Sequence, residues 1–140
     1  MINPQRFFSS FLVVLAIDQV SKYWAQQQGY ITFNEGISFG ILQQGSAWLI
    51  IALIGILLTV WYLCKDFWKK YPLLAGLLFG GGASNIVDRF FFPGVRDWLP
   101  VPTMGLKNNL ADWAIFIGVF SILYLEMLSA REKKEMAGHD

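Results

Sequence analysis

Cysteine and histidine are almost absent from this chain of 140 residues. It has one cysteine, Cys64, and one histidine, His139, which lies in the polar C-terminal tail. A single cysteine excludes an internal disulfide, and a zinc site would need histidine or cysteine clusters. We therefore expect no metal and no cofactor. Serine catalysis lacks a histidine in the right compartment, although a Ser38–Lys22 dyad stays open as an alternative.

Charged residues are also scarce. They make up 15% of the chain, against 55% hydrophobic and 16% aromatic residues, and the mean hydropathy is +0.45. This composition is typical of proteins embedded in lipid. The net charge of +1 gives no indication of nucleic-acid binding. We expect one integral membrane domain over residues 1–140, surrounded by membrane lipids and monomeric.

Long apolar runs are present in four places, and each is close to the ~20 residues that cross a bilayer. The runs do not alternate with a period of two, which argues against barrel strands. The sequence therefore predicts an all-α membrane protein with four transmembrane helices. The runs cover residues 7–25, 47–64, 71–87 and 110–128.

Basic residues near the ends of these runs predict the orientation in the membrane. Seven lie on the side that also holds both termini, which is therefore the cytoplasmic side. The loops 26–46 and 88–109 then lie outside the cytoplasm, and the β-prone run 30–33 predicts a small extracytoplasmic β element between helices 1 and 2. The seven basic residues are Arg6, Lys65, Lys69, Lys70, Arg131, Lys133 and Lys134.

Polar residues are concentrated between Gly80 and Asp112, beside apolar runs. A charged side chain at membrane depth costs roughly 2.5–3.5 kcal/mol, so such groups persist mainly where they pair or do chemistry. We hypothesise that Asp97 and Asp112 form a two-carboxylate site, in which one acid activates water and the other donates a proton. A helix cap is an alternative explanation of Asn109 and of Asp112.

Other polar residues have both a structural and a functional interpretation. Asp18 and Lys22 are four residues apart, which favours an ion pair on one helix face, although they could also hold substrate. Asn34 could bond an extended peptide and Gly36 suits a tight turn, but both also fit an ordinary loop. Asn85 and Arg89, at the same spacing as the ion pair, place donors on one face.

These residues fall into five ordered motifs that resemble lipoprotein signal peptidase, the type II signal peptidase family. The resemblance implies a four-span aspartyl endopeptidase of the bacterial inner membrane, which cuts prolipoproteins just before a diacylglyceryl-modified cysteine at the extracytoplasmic face. The motifs are Asp18-Gln19-x-x-Lys22, Asn34-x-Gly36-x-x-Phe39-Gly40, Gly81-Gly82-x-x-Asn85-x-x-Asp88-Arg89, Val95-x-Asp97 and Asn109-x-Ala111-Asp112.

The resemblance also implies roles for single residues. Asp97 and Asp112 would be the catalytic pair. In the family, the first outer loop and its small sheet form a cradle for the substrate. The residues that would hold substrate and order the site are Asn34, Gly36, Asn85, Arg89, Asn109 and Ala111.

Two other classes of protein compete with the peptidase. A small proton-coupled multidrug exporter also has four spans and would use Asp18, but its acid lies at the midplane, whereas the acids here cluster at one face. A noncatalytic membrane scaffold would leave Asp97 and Asp112 unexplained.

Overall fold

The computed structural model describes residues 3–34, 47–102 and 105–137. These residues form five helices and four short strands. In chain order they are α1 (Pro4–Gln27), β1 (Thr32–Asn34), α2 (Ala47–Leu63), α3 (Lys65–Lys70), α4 (Pro72–Phe91), β2 (Val95–Asp97), β3 (Leu99–Val101), β4 (Leu106–Asn108) and α5 (Leu110–Ala137).

Helix α4 is the centre of the bundle and packs most extensively against α1 and α5. Glycines make this close approach possible. A Cβ at Gly80 would lie 2.7 Å from the Phe11 carbonyl oxygen of α1, and one at Gly81 would lie 2.5 Å from the Ala111 carbonyl oxygen of α5. Small residues at helix contacts are the usual way for membrane helices to pack. The glycine run of the third apolar segment therefore fixes α1 and α5 on two sides of α4.

The strands form two small antiparallel sheets at the end of the bundle where α1 and α4 finish and α5 begins. β1 pairs with β2, with Thr32 opposite Asp97 and Asn34 opposite Val95. β3 pairs with β4. The sequence places a β element between the first two helices, and β1 lies there. Its partner strand comes from the loop between α4 and α5, a long-range pairing that the local pattern does not reveal.

The distribution of polarity is inverted relative to a water-soluble bundle. Large apolar side chains of α1, α2 and α5 are exposed, whereas several charged side chains are fully buried. Large exposed apolar surfaces mark contact with protein or membrane. The exposed residues include Leu12, Val20, Ile51, Leu58, Phe116, Phe120 and Leu123.

The prediction of four spans stays a prediction. Among the described helices, α5 alone is both long and apolar enough to cross a membrane by itself, and the apolar part of α2, Leu49–Leu63, is shorter. Helices α1 and α4 have 24 and 20 residues. Their length suffices for a crossing at 1.5 Å per residue, but the polar groups they carry lower their hydropathy.

Candidate active site

Asp97 lies in β2 and is 3% exposed. Both of its carboxylate oxygens accept bonds from asparagine amides: Asn34 donates to Oδ2 over 3.0 Å, and Asn109 donates to Oδ1 over 2.6 Å. Burial raises the pKa of Asp97 above its usual value, and the nearby negative charge of Asp112 raises it further, while the two amide bonds act in the opposite direction. The strand pairing explains the first bond, because β1 carries Asn34 and lies beside β2.

Asp112 lies in the first turn of α5 and is half-buried. Its Oδ1 accepts a 2.7 Å bond from the Asn85 amide of α4. Its backbone N–H donates to Asn109 Oδ1 over 2.9 Å, as expected for a helix cap. Asn109 therefore does two things at once, since its oxygen caps α5 at Asp112 and its nitrogen bonds Asp97. This fully buried side chain joins the two acids.

Four charged residues form a chain of ion pairs beneath the acids, and we call Asp18, Lys22, Asp88 and Arg96 the buried charge network. Lys22 Nζ lies 2.6 Å from Asp18 Oδ2 and 3.2 Å from Asp88 Oδ2, and all three side chains have zero exposure. Arg96 lies 2.7 Å from Asp88 Oδ1. The network contains two acids and two bases, so its charges compensate one another.

The buried charge network is connected to the acids through Asn85. Lys22 Nζ donates to Asn85 Oδ1 over 2.9 Å, while the nitrogen of the same amide donates to Asp112. Turning the amide over would place its nitrogen against the ammonium group and its oxygen against the carboxylate. Lys22 therefore fixes the orientation in which Asn85 donates to Asp112.

The network also connects to Ala111, another residue singled out in the sequence. The backbone N–H of Ala111 donates to Asp18 Oδ1 over 2.9 Å, and the Ser84 hydroxyl donates to Asp18 Oδ2 over 2.7 Å. The main chain of Ala111 therefore contacts both neighbouring helices. Its N–H bonds Asp18 of α1, and its carbonyl oxygen lies where Gly81 of α4 approaches α5 closely.

The ion-pair partners of Asp88 come from two other elements, α1 and β2. They are Lys22 and Arg96. Arg89 NH1 donates to the Asn85 carbonyl over 3.2 Å, and its charge acts on Asp112, Asp97 and Asp88. The contacts of Arg96 are the part of this site that sequence reasoning missed. The available signal was a lone arginine directly before Asp97 in an otherwise apolar segment.

Two of the expected positions, Gly36 and Ser38, lie outside the described residues. Ser38 is the centre of a Gly-x-Ser-x-Gly sequence, residues 36–40, but a nucleophile elbow also needs a base. The ammonium group of Lys22 bonds Asp18, Asp88 and Asn85. These contacts hold the Lys22 nitrogen inside the bundle, which argues against a Ser38–Lys22 dyad.

A cavity of about 330 Å³ opens beside Asp112 between α2, α4 and α5. One part of its wall is polar and the rest is aliphatic, so it suits a ligand with both polar and apolar parts. No group of three or more histidine, cysteine or acidic residues that could hold a metal occurs in the described ranges. The polar lining consists of Asn34, Asn85, Arg89 and Asp112, and the aliphatic lining includes Leu53, Ile56, Leu57 and Ile115.

Comparisons with known proteins point in one direction. A sequence model of signal peptidase (SPase) II matches residues 10–128. The chain is 34% identical over 157 residues to the lipoprotein signal peptidase of Syntrophomonas wolfei, covering 94% of this chain and 99% of that protein. It is 31% identical over 144 residues to the lipoprotein signal peptidase of Campylobacter jejuni subsp. doylei, covering 92% of each.

Two solved structures of bacterial membrane enzymes share the fold. The first has a TM-score of 0.71 and 23% identity, and covers 91% of this chain and 90% of its own. The second has a TM-score of 0.69 and 25% identity, and covers 86% of this chain and 91% of its own.

Proposed function

The chain belongs to the signal peptidase II family of bacterial inner-membrane peptidases, and on this premise we propose that it cleaves prolipoproteins before a diacylglyceryl-modified cysteine with an aspartate dyad. The two acids of the dyad are Asp97 and Asp112. The observation that carries the proposal is the bridge through Asn109, which bonds Asp97 and caps the helix turn that carries Asp112. A shared, buried bridge holds two acids from different elements, β2 and α5, in one arrangement.

The proposed mechanism uses one proton shared between two carboxyl groups. The ionised carboxylate takes a proton from a water molecule as that water attacks the scissile carbonyl carbon. The protonated carboxyl donates to the carbonyl oxygen as negative charge develops there. The tetrahedral intermediate then collapses: the carboxyl that took up the proton of water gives it to the leaving nitrogen as the C–N bond breaks, and the other carboxylate takes its proton back as the carbonyl forms again. Because the two acids are coupled, the proton belongs to the pair rather than to either residue.

The cavity supports a substrate that is part peptide and part membrane anchor. Its polar wall offers amide groups from Asn34 and Asn85 and the guanidinium of Arg89, which suit the backbone carbonyls of an extended peptide. Its aliphatic wall, on α2 and α5, suits an apolar side chain or lipid chain. The arrangement fits a scissile bond next to a lipid-modified residue.

We place this protein in the membrane with four spans, cytoplasmic termini, an extracytoplasmic site and a monomeric state. Two observations support the spans: the outward faces of α1, α2 and α5 are apolar, and the charged groups are buried inside the bundle. The basic residues at the opposite end of the helices support the orientation.

The transporter interpretation rests on Asp18, and the contacts of Asp18 do not favour it. Its carboxylate accepts bonds from Ser84 and the Ala111 backbone and pairs with Lys22. It is fully buried and does not line the cavity. A proton carrier would need to exchange its proton with water from alternating sides.

The test is cleavage of a lipidated propeptide by the purified protein in lipid. The wild-type protein should release the signal peptide with the bond broken before the lipidated cysteine, as mass spectrometry of both products would show. Asp112→Asn should fold and fail to cleave. Cleavage at another position, or no cleavage by a well-folded wild-type protein, would contradict the proposal.

A further inference from the structure

We propose that Arg96 is a positioning residue for Asp97. Its guanidinium is not part of the cavity lining, and it acts by fixing strand β2 against α1 and α4. The proposal rests on the proposed function for the role of Asp97. The placement of the strand itself rests only on contacts within the chain.

The first observation is a double attachment to one carboxylate. The backbone N–H of Arg96 donates to Asp88 Oδ2 over 2.9 Å, and its NH2 donates to Asp88 Oδ1 over 2.7 Å. Asp88 therefore holds both the main chain and the side chain of the residue next to Asp97. Bonds between ionised partners are about twice as strong as neutral ones, and the planar guanidinium gives them a defined direction.

The second observation is that the same guanidinium reaches α1. Arg96 NH2 donates to Gln19 Oε1 over 2.8 Å, and NH1 donates to Gln26 Oε1 over 3.2 Å. Gln19 in turn donates to Asp88 Oδ1 over 2.9 Å. One side chain thus joins β2 to both helices that carry the buried charge network.

The third observation is an aromatic contact that includes the partner strand. The Arg96 guanidinium lies 3.9 Å from the centre of the Phe92 ring, a cation–π distance. Phe92 stacks on Phe33 of β1, with ring centres 6.5 Å apart, and Phe33 is the register partner of Arg96. The contacts of Arg96 therefore hold both strands, including the one that presents Asn34 to Asp97.

These contacts matter because the strands are too short to place Asp97 alone. β1 and β2 have three residues each, and a two-stranded pair is at best marginally stable by itself. Neighbouring residues of a strand point to opposite faces, so Arg96 holds one face while Asp97 faces Asn34 and Asn109 on the other. A displacement of about 1 Å at a reacting group can reduce turnover by about 10²-fold.

Charge is not the proposed contribution of Arg96, because Asp88 already balances it within the network. Arg96→Lys separates the two effects. Lysine keeps the positive charge but lacks the planar fork that reaches Asp88, Gln19 and Gln26 together. The backbone bond to Asp88 survives any such substitution, which keeps the variant foldable. Arg131→Lys, at an exposed position of α5, is the matched control.

The experiment measures kcat and KM of the wild type and both variants on a lipidated propeptide, and amide hydrogen exchange of β2 and of α5. In Arg96→Lys we expect kcat to fall about 10- to 100-fold with little change in KM, and exchange to become faster in β2 but not in α5. Arg131→Lys should match the wild type in every measurement.

Three results would overturn the inference. They are an unchanged kcat in Arg96→Lys, a lower melting temperature with normal kcat per folded molecule, and a lower kcat without faster exchange in β2. If the wild type cleaves no lipidated propeptide, the proposed function fails, and the exchange measurement alone decides whether Arg96 holds β2.

Discussion

Replacing Asp18 by alanine tests whether the buried charge network is structural. The substitution removes the closest counter-charge of Lys22, at 2.6 Å, and leaves Asp88 at 3.2 Å as its remaining anion. It also removes the acceptor of the Ala111 backbone N–H in a fully buried place. Removing one partner of a buried ion pair costs about 3–5 kcal/mol. Asp88 stays 3.2 Å from Lys22 but also pairs with Arg96, so the network is left with one uncompensated positive charge, and we expect a loss of about 3–5 kcal/mol.

The assay separates folding from turnover. Thermal unfolding in lipid and the yield of folded protein report stability, and cleavage per folded molecule reports chemistry. Asp18→Ala should lower the yield and the melting temperature, while the folded fraction keeps much of its turnover. Asp66→Ala is the control, since Asp66 also pairs with a nearby lysine but is 81% exposed, and it should change stability little. An Asp18→Ala protein that folds normally and is wholly inactive would refute the structural role.

Three further predictions concern the site. Asp97→Asn and Asp112→Asn should each abolish cleavage about as severely as the double variant and without unfolding, since the effects of residues that act as a unit are not additive. Asp88→Asn should leave measurable activity. Robust single-turnover cleavage by either Asp97→Asn or Asp112→Asn would remove the dyad from the mechanism. A non-lipidated peptide should be cleaved more slowly than its diacylglyceryl-cysteine counterpart, and equal rates would contradict the proposed specificity. As pH rises, kcat/KM should fall because the dyad loses its shared proton. The Asn34 bond lowers the pKa of Asp97, so Asn34→Ala should move this alkaline fall in kcat/KM to higher pH. A shift of the fall to lower pH would contradict the role of Asp97 in the dyad.

The helices and the local contacts of the site follow from the sequence. The spacing of Asp18 and Lys22 predicts their ion pair, because residues four apart meet on one helix face whatever the rest of the chain does. The cap at Asn109 is equally local, since it involves a residue three positions away. The second apolar run and α2 both begin at Ala47, whereas α5 extends to Ala137, beyond the predicted end at residue 128, and the short helix α3 lies outside every predicted run.

The long-range contacts of the site could not be predicted in the same way. Asn34 and Asp97 meet because β1 pairs with a strand that follows α4, and no local pattern selects that partner. Asp88 is a second example, because one of its ion-pair partners is Lys22 of α1. Its other partner is Arg96, which the turn after α4 brings back over the helix end.

The charges at this end of the bundle give a physical reason for a shared proton. Among the described residues, the buried or half-buried ionisable groups of the site are four acids and three bases. Lys22 and Arg96 compensate Asp18 and Asp88. Of the groups in the described part of the chain, that leaves Arg89 as the third base beside Asp97 and Asp112; its charge acts on Asp112, Asp97 and Asp88. Uncompensated charge is costly in a poorly hydrated place, so the pair is neutralised most readily by keeping one proton. A dyad with one protonated and one ionised carboxyl group is also what the proposed mechanism requires, since one group acts as the acid and the other as the base.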